Sequence, residues 1–238
     1  MDPGYPAPPG RPVESAATPE EKADEILIKA RSSKEEDEKM ADVLKSFFER
    51  QKKSVLPKIG AKSAKWWDKK RWDKELADDL EPELDEVADA HGQATAKTLG
   101  YGYNTDRTRK YIRTLAEARA EIINESTYRK LKDAEDPADA FDKRALADAA
   151  VIGGALALTC AAFGTRESVQ QAQENGFDRQ VYKRWVTGDN PRPAHAAMNG
   201  EEVPIDEPFS NGLNWPGDDM GPADETCGCN CSTEIIVR

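Results

Sequence analysis

Apolar side chains recur at three- and four-residue intervals through most of the chain up to residue 176. This spacing places them on one face of an α-helix, so it predicts helices rather than strands. The first stripe follows Ser33 and Glu36, whose spacing is that of a capping box, and Pro57 and Gly60 end it. Similar stripes predict further helices over residues 72–99, 111–123 and 138–175. The sequence therefore predicts a bundle of long helices over residues 33–176.

The two ends of the chain lack this pattern. Residues 1–32 are rich in proline and poor in large apolar side chains, so we expect a linker or tail with a short helix over 19–30. Gly176 is a typical helix-ending residue. A short apolar strand over 181–186 follows, and then come turns rich in Gly, Pro, Asn and Asp. The expected fold class is α+β: a helical bundle, then a small, loop-rich, β-containing module over 177–238.

The charge balance does not favour nucleic acid as the main partner. The chain has 45 acidic and 34 basic side chains and a net charge of −11, whereas nucleic-acid binding depends on a basic face. The segment from Lys52 to Trp72 is an exception, because it combines several cations with Trp66, Trp67 and Trp72. It could be a surface that stacks on nucleic acid or docks a partner. We favour the alternative, in which the tryptophans are aromatic anchors between helices.

An uncharged stretch over residues 149–163 requires a test for a membrane span. It is about fifteen residues long, whereas a spanning helix needs about 20. We therefore expect a buried central helix and no membrane contact. The first residues also lack the basic start and apolar core of a secretory signal, so we expect the cysteines to be reduced or bound to a metal.

The C-terminal module contains one histidine and three cysteines at alternate positions. His195 and the thiols of Cys227, Cys229 and Cys231 are the types of ligand that zinc prefers. One histidine with two or three cysteines would complete a closed, structural zinc site. The spacing is not that of a standard zinc finger, so an alternative stays open in which these side chains pack and hydrogen-bond in a tight turn. We assign no catalytic residue and no cofactor other than this zinc.

Further landmarks surround His195 in a fixed order. They are Lys183, Trp185, Asp189, Arg192, Gly200, Phe209, Pro216, Gly217 and Asp218, and Cys229 and Cys231 close the series. This order resembles the C-terminal signature of the phage Mu F-like minor head proteins, the phage head morphogenesis family. The resemblance covers about fifty residues of this chain and has many landmarks in order.

Three departures from the family pattern concern the cysteines and their surroundings. Gly228 stands where the family usually has Asn before its first cysteine, and Cys227 is an additional thiol. Prolines flank Arg192 on both sides and stiffen the approach to the histidine. These departures leave open which cysteines act together, and we favour Cys229 and Cys231.

The resemblance implies a structural minor head protein of a tailed bacteriophage that acts in procapsid and head assembly near the portal. Its expected partners are the portal protein, the major capsid protein and scaffold proteins. Its expected location is the virion head, in the interior or at the portal vertex, after assembly in the host cytoplasm. In some phages such a domain follows the portal protein in one polypeptide, and the proline-rich opening here resembles a linker after such a region. Exposed Trp66, Trp67 and Trp215 would then be candidate anchors for a partner.

Two other functions are alternatives to head assembly. One is a DNA-contacting internal head protein that uses the basic segment from Lys52 to Trp72. The other is a toxin-like transferase with Arg192, His195 and Glu202 as its site. We do not expect an enzyme, because the sequence has no phosphate-binding glycine loop, no nucleophile elbow and no His-Glu-x-x-His helix.

Overall fold

The computed structural model describes residues 25–61, 65–218, 221–226 and 229–238. It has long helices followed by a small antiparallel sheet near the C-terminus, so the predicted α+β class is confirmed. The helices are α1 (Lys34–Gly60), α2 (Lys69–Leu99), α3 (Asp106–Lys132), α4 (Pro137–Lys143), α5 (Ala149–Glu174), α6 (Pro193–Ala197) and α7 (Ala223–Thr226), and a π-helical segment (Arg144–Asp148) joins α4 to α5. The strands are β1 (Ile26–Ala30), β2 (Val181–Val186), β3 (Glu202–Pro204) and β4 (Ser232–Val237).

The start of α1 confirms the predicted capping box. The Glu36 backbone N–H donates to Ser33 Oγ at 3.2 Å, and the Ser33 N–H donates to the Glu36 carboxylate at 2.6 Å. The helix continues through Pro57 and ends at Gly60, the second of the two residues predicted to end it. Proline removes one backbone hydrogen bond, but near a helix end few bonds remain to be lost.

Helix α5 lies at the centre of the helical bundle, against α1 and α2. Two glycines allow this close approach. A Cβ at Gly153 would lie 2.6 Å from the backbone nitrogen of Ala41, and a Cβ at Gly164 would lie 2.1 Å from the carbonyl oxygen of Ala88. Both distances are far below a normal contact, so α5 can pack this closely only without side chains at these positions.

The continuous helical stretch Pro137–Glu174 is long and apolar enough to cross a membrane by length and composition alone. Its Leu156, Cys160 and Ala161 side chains are buried in the main hydrophobic core. A core helix of this kind has the same composition as a spanning one, and its packing agrees with the predicted buried central helix.

The sheet brings β1, near the start of the described residues, beside the C-terminal strand β4, and its strand order is β1-β4-β2-β3. Ile26 of β1 and Val181 of β2 both pair with Val237 of β4, from its two sides. The helix predicted over 19–30 is therefore wrong for residues 26–30, which form an edge strand; residues 1–24 lie outside the described part. The strand's apolar side chains pack with the ends of α2 and α5, and this long-range pairing overrides any local preference for helix.

The tryptophans of the basic segment pack between helices. Trp66 stacks on Tyr128 of α3 with ring centroids 5.2 Å apart, and Trp67 lies 5.7 Å from the same ring. Trp72 is fully buried and meets Phe47 of α1 edge-on at 6.0 Å. These contacts agree with the interpretation as interhelical anchors.

Cations of the same segment are balanced within the bundle. Lys69 pairs with Asp73 at 2.6 Å and with Glu121 at 2.8 Å. Arg71 pairs with Glu75 at 2.6 Å. Since each of these cations already faces a carboxylate, the local positive potential is smaller than the sequence suggests.

Candidate metal centre

His195 is placed by the short helix α6, which follows the loop after β2. Pro193 is the first residue of this helix, a position where its fixed φ favours the helical turn. The His195 side chain is only 1% exposed and packs edge-on against Trp185, with ring centroids 5.1 Å apart. The imidazole is therefore held inside the C-terminal module.

The two cysteines nearest β4 face the same ring nitrogen. Cys229 Sγ lies 3.5 Å from His195 Nδ1, and Cys231 Sγ lies 3.7 Å from it. A tetrahedral zinc with Zn–S bonds of about 2.3 Å and a Zn–N bond of about 2.0 Å requires roughly 3.5 Å between nitrogen and sulfur. All three candidate ligand atoms lie within 4.8 Å of one another, so these residues could hold a metal ion. Weak thiol–imidazole hydrogen bonds fit the same distances, and the fourth predicted ligand, Cys227, lies outside the described residues.

The surroundings of Cys231 favour its thiolate form. A hydrogen bond from the Cys229 thiol lowers the pKa of Cys231 below its usual value, and burial opposes this effect. The backbone N–H of Gly188 and the His195 ring lower this pKa further. Since the thiolate is the form that binds metals, this environment suits a ligand.

A small cavity of about 40 Å³ adjoins the three candidate ligands. The loop after β2 forms its outer wall, including the exposed Asp189 and the half-buried Arg192. A space of this size holds a water molecule or an ion but not an ordinary organic substrate.

Landmarks on β2 form a core beside the histidine. Trp185 is fully buried and meets Phe209 edge-on at 5.1 Å. Lys183 is also buried: its Nζ donates to the carbonyl oxygen of Asn214 at 2.9 Å and lies 5.1 Å from the centre of the Phe209 ring. Gly200 has a φ of 84°, which glycine adopts readily, and its N–H donates to Trp185 O at 2.9 Å. These landmarks therefore stabilise the module.

The Pro-Gly-Asp landmark ties the module to the helical bundle. Asp218 is buried, and its carboxylate accepts hydrogen bonds from the backbone and side-chain nitrogens of Asn214 at 2.8 and 2.9 Å. Thr159 of α5 donates to the carbonyl oxygen of Gly217 at 3.3 Å, and Pro216 is buried beside it. This segment thus contacts both the sheet-bearing module and the central helix.

One tryptophan that was expected on the surface is buried. Trp215 is buried, with 8% of its surface exposed, so its assignment as an exposed partner anchor is wrong. It lies within the same tightly packed turn as Pro216 and Gly217, which removes it from the surface. Trp66 and Trp67 keep partial exposure.

The residues considered for a transferase have other partners. Arg192 Nη1 donates to the backbone carbonyl of Glu225 at 3.1 Å. Glu202 on β3 pairs with Arg184 at 2.6 Å and with Arg238 at 2.8 Å. In these contacts the charged groups cross-link neighbouring strands and loops.

Two residues of the centre were not identified from the sequence. His195 Nε2 lies 2.8 Å from the carboxylate of Glu225, and this contact lowers the pKa of Glu225. Gly188 lies directly against the backbone of Asn230, between the two cysteines. Their only sequence signals are an acidic residue just before the cysteines and a glycine just after β2, and such residues are common in loops.

Comparisons of the chain with protein-family models, with curated proteins and with solved structures found no match.

Proposed function

We propose that this chain is a structural minor head protein of a tailed bacteriophage, and that one zinc ion holds its C-terminal module in shape. The observation that carries the proposal is the placement of the landmark residues. Lys183, Trp185, Phe209 and Asp218 are buried and contact neighbouring parts of the module. Residues that bind a substrate must be accessible, whereas residues that maintain a recognition surface are buried beneath it.

The order of these landmarks supports head assembly as the setting. In this proposal the helical bundle docks on the portal or on the inner capsid and scaffold proteins, and the module supplies a rigid recognition surface. A rigid surface binds better because less conformational freedom is lost on association. Contact with DNA is secondary in this proposal, since cations such as Lys69 and Arg71 already face carboxylates.

The zinc part of the proposal rests on the distances around His195 Nδ1. The ligands offered by His195, Cys229 and Cys231 match a tetrahedral site in both type and spacing. The module's own apolar cluster is small, with Trp185, Met198, Phe209 and Leu213 beside the two cysteines. A core of this size usually needs a metal or a larger partner for stability.

Elemental analysis of the purified full-length chain tests the zinc site. We expect about one zinc per chain in the wild type, as one closed site requires, and loss of it in His195→Ala and Cys229→Ser. His91→Ala and Cys160→Ala are matched controls, because they remove a histidine and a buried cysteine from the helical bundle, and they should retain the zinc. A folded wild type without metal would refute this part.

Incorporation into heads tests the assembly role. The chain is co-expressed with the portal, scaffold and major capsid proteins encoded beside it, and purified procapsids are analysed for its presence. We expect the wild type in procapsids and loss of the variant that lacks residues 183–238. Because that deletion also removes the partners of β1, the full-length Cys229→Ser/Cys231→Ser variant is included and should be depleted as well. Absence of the folded wild type from procapsids, or normal incorporation of the truncated chain, would contradict the proposal.

A further inference from the structure

The two ring nitrogens of His195 face different groups. Nδ1 faces both sulfurs, at 3.5 Å from Cys229 and 3.7 Å from Cys231. Nε2 faces Glu225 Oε2 at 2.8 Å. In a neutral imidazole one nitrogen carries the hydrogen and the other carries the lone pair. Only a lone pair on Nδ1 can bind a metal beside the two sulfurs, so the hydrogen must then be on Nε2.

Glu225 is placed to select that tautomer. An ionised carboxylate is a hydrogen-bond acceptor only, so at 2.8 Å it requires the hydrogen on His195 Nε2. It also aligns the ring, because the bond to Nε2 fixes the direction in which Nδ1 points. In known metal sites, carboxylates in this position orient the histidine ligand and increase its basicity.

Glu225 is itself held from two sides. Arg192 Nη1 donates to the Glu225 backbone carbonyl at 3.1 Å, which fixes α7 beside α6. Asn211 Nδ2 lies 3.4 Å from the same carboxylate oxygen that faces His195. The Glu225 side chain is only about a quarter exposed. These contacts fix the carboxylate before any metal binds, so orienting the ring costs little conformational entropy on binding.

We propose that Glu225 is the positioning residue of the metal centre, which holds His195 as the Nε2–H tautomer with Nδ1 directed at the ion. This inference rests on the proposed zinc site and extends it to a residue that does not touch the metal. It also gives Arg192 a role, since its hydrogen bond places the backbone of Glu225.

Zinc affinity of the full-length protein, measured by competition with a chromophoric chelator, is the first readout. We expect Glu225→Ala to weaken zinc binding by about 10- to 100-fold, as loss of such an outer carboxylate does. Glu225→Gln should lose less, because its amide oxygen still accepts a hydrogen bond from Nε2. Glu201→Ala is the matched control: this half-buried carboxylate of the same module binds Ser210 Oγ at 2.8 Å, and its loss should leave zinc affinity unchanged.

The imidazole tautomer is the second readout, and a purely structural role would not change it. Nitrogen chemical shifts of His195 in the metal-free wild type should show the Nε2–H tautomer, and Glu225→Ala should show a mixture. Two results would overturn the role of Glu225 and leave the metal site standing. One is a wild type that binds zinc but shows Nδ1–H, and the other is a Glu225→Ala variant with wild-type zinc affinity. A wild type that binds no zinc would instead overturn the metal site. If Glu225→Ala fails to fold, Glu225→Gln and the wild-type tautomer decide the question.

Discussion

Gly188 lies where the loop after β2 passes the segment between the two cysteines. A Cβ at this position would lie 2.1 Å from the carbonyl oxygen of Asn230 and 2.7 Å from its carbonyl carbon. Since real Cβ contacts are essentially never shorter than 3.0 Å, Gly188→Ala requires a backbone shift of roughly 1 Å at Asn230. The neighbouring Cys229 and Cys231 would move with it. The Gly188 N–H bond to Cys231 would be distorted at the same time.

Two effects of Gly188→Ala follow from this shift. Overpacking of this kind costs about 1–3 kcal/mol of unfolding free energy. For a chain of 238 residues that cost lowers the melting temperature by about 2–12 °C. In the proposed zinc site, metal–ligand distances must hold within about 0.2 Å, so a shift of this size should also weaken zinc binding. This loss of affinity would come in addition to the loss of folding stability.

Thermal unfolding followed by circular dichroism, with and without a chelator, measures both effects. Gly102→Ala is the matched control, because a Cβ there meets nothing within 4 Å. We expect the control to melt and bind zinc like the wild type. In Gly188→Ala, the difference in melting temperature between zinc-loaded and chelated protein should shrink. If Gly188→Ala matches the control in both measurements, the close approach of Gly188 to Asn230 does not constrain the two cysteines.

Two further predictions concern the bundle and the buried lysine. Trp72→Ala should lower the free energy of unfolding in urea by about 3–5 kcal/mol, because Trp72 is fully buried against Phe47; a loss below 1 kcal/mol on the same scale would contradict the anchor role. Burial lowers the pKa of Lys183 from 10.5 to about 8, so between these values the unfolded chain binds more protons than the folded one. The unfolding free energy of the wild type should therefore rise relative to that of Lys183→Met from pH 8 to 10.5, and parallel pH profiles of the two proteins would refute the assignment.

The helices could be predicted from the sequence because their signals are local. The stripe after Ser33, the capping box with Glu36 and the left-handed Gly176 all lie within a few residues of the element they define. Proline is a weaker local signal: α2 continues through Pro82, where the flanking Leu80 and Leu84 are both buried. Packing of the apolar face against the bundle offsets the hydrogen bond lost at the proline. A prediction of helix ends from proline alone does not include the free energy of this packing.

Strand β1 could not be predicted, because its partner is at the other end of the chain. Ile26 pairs with Val237, and no residue near Ile26 indicates this. The same limit applies to the metal centre. His195 and the cysteines could be named from their chemistry, but the contact of Glu225 with His195 Nε2 depends on how two loops meet. Residue type therefore predicts candidate ligands, while only the fold identifies the groups that orient them.

The candidate metal ligands and the small core of the module share residues. Cys229 and Cys231 belong to the same cluster as Phe209 and Leu213, and Trp185 contacts both Phe209 and the ring of His195. An ion bound by the two thiolates and the imidazole would therefore join two segments of this core directly, α6 and the stretch before β4. Since so few apolar side chains pack here, loss of the ion would loosen the whole module rather than one loop. A module built this way can present a fixed surface to a partner although more than half of it consists of loops and turns.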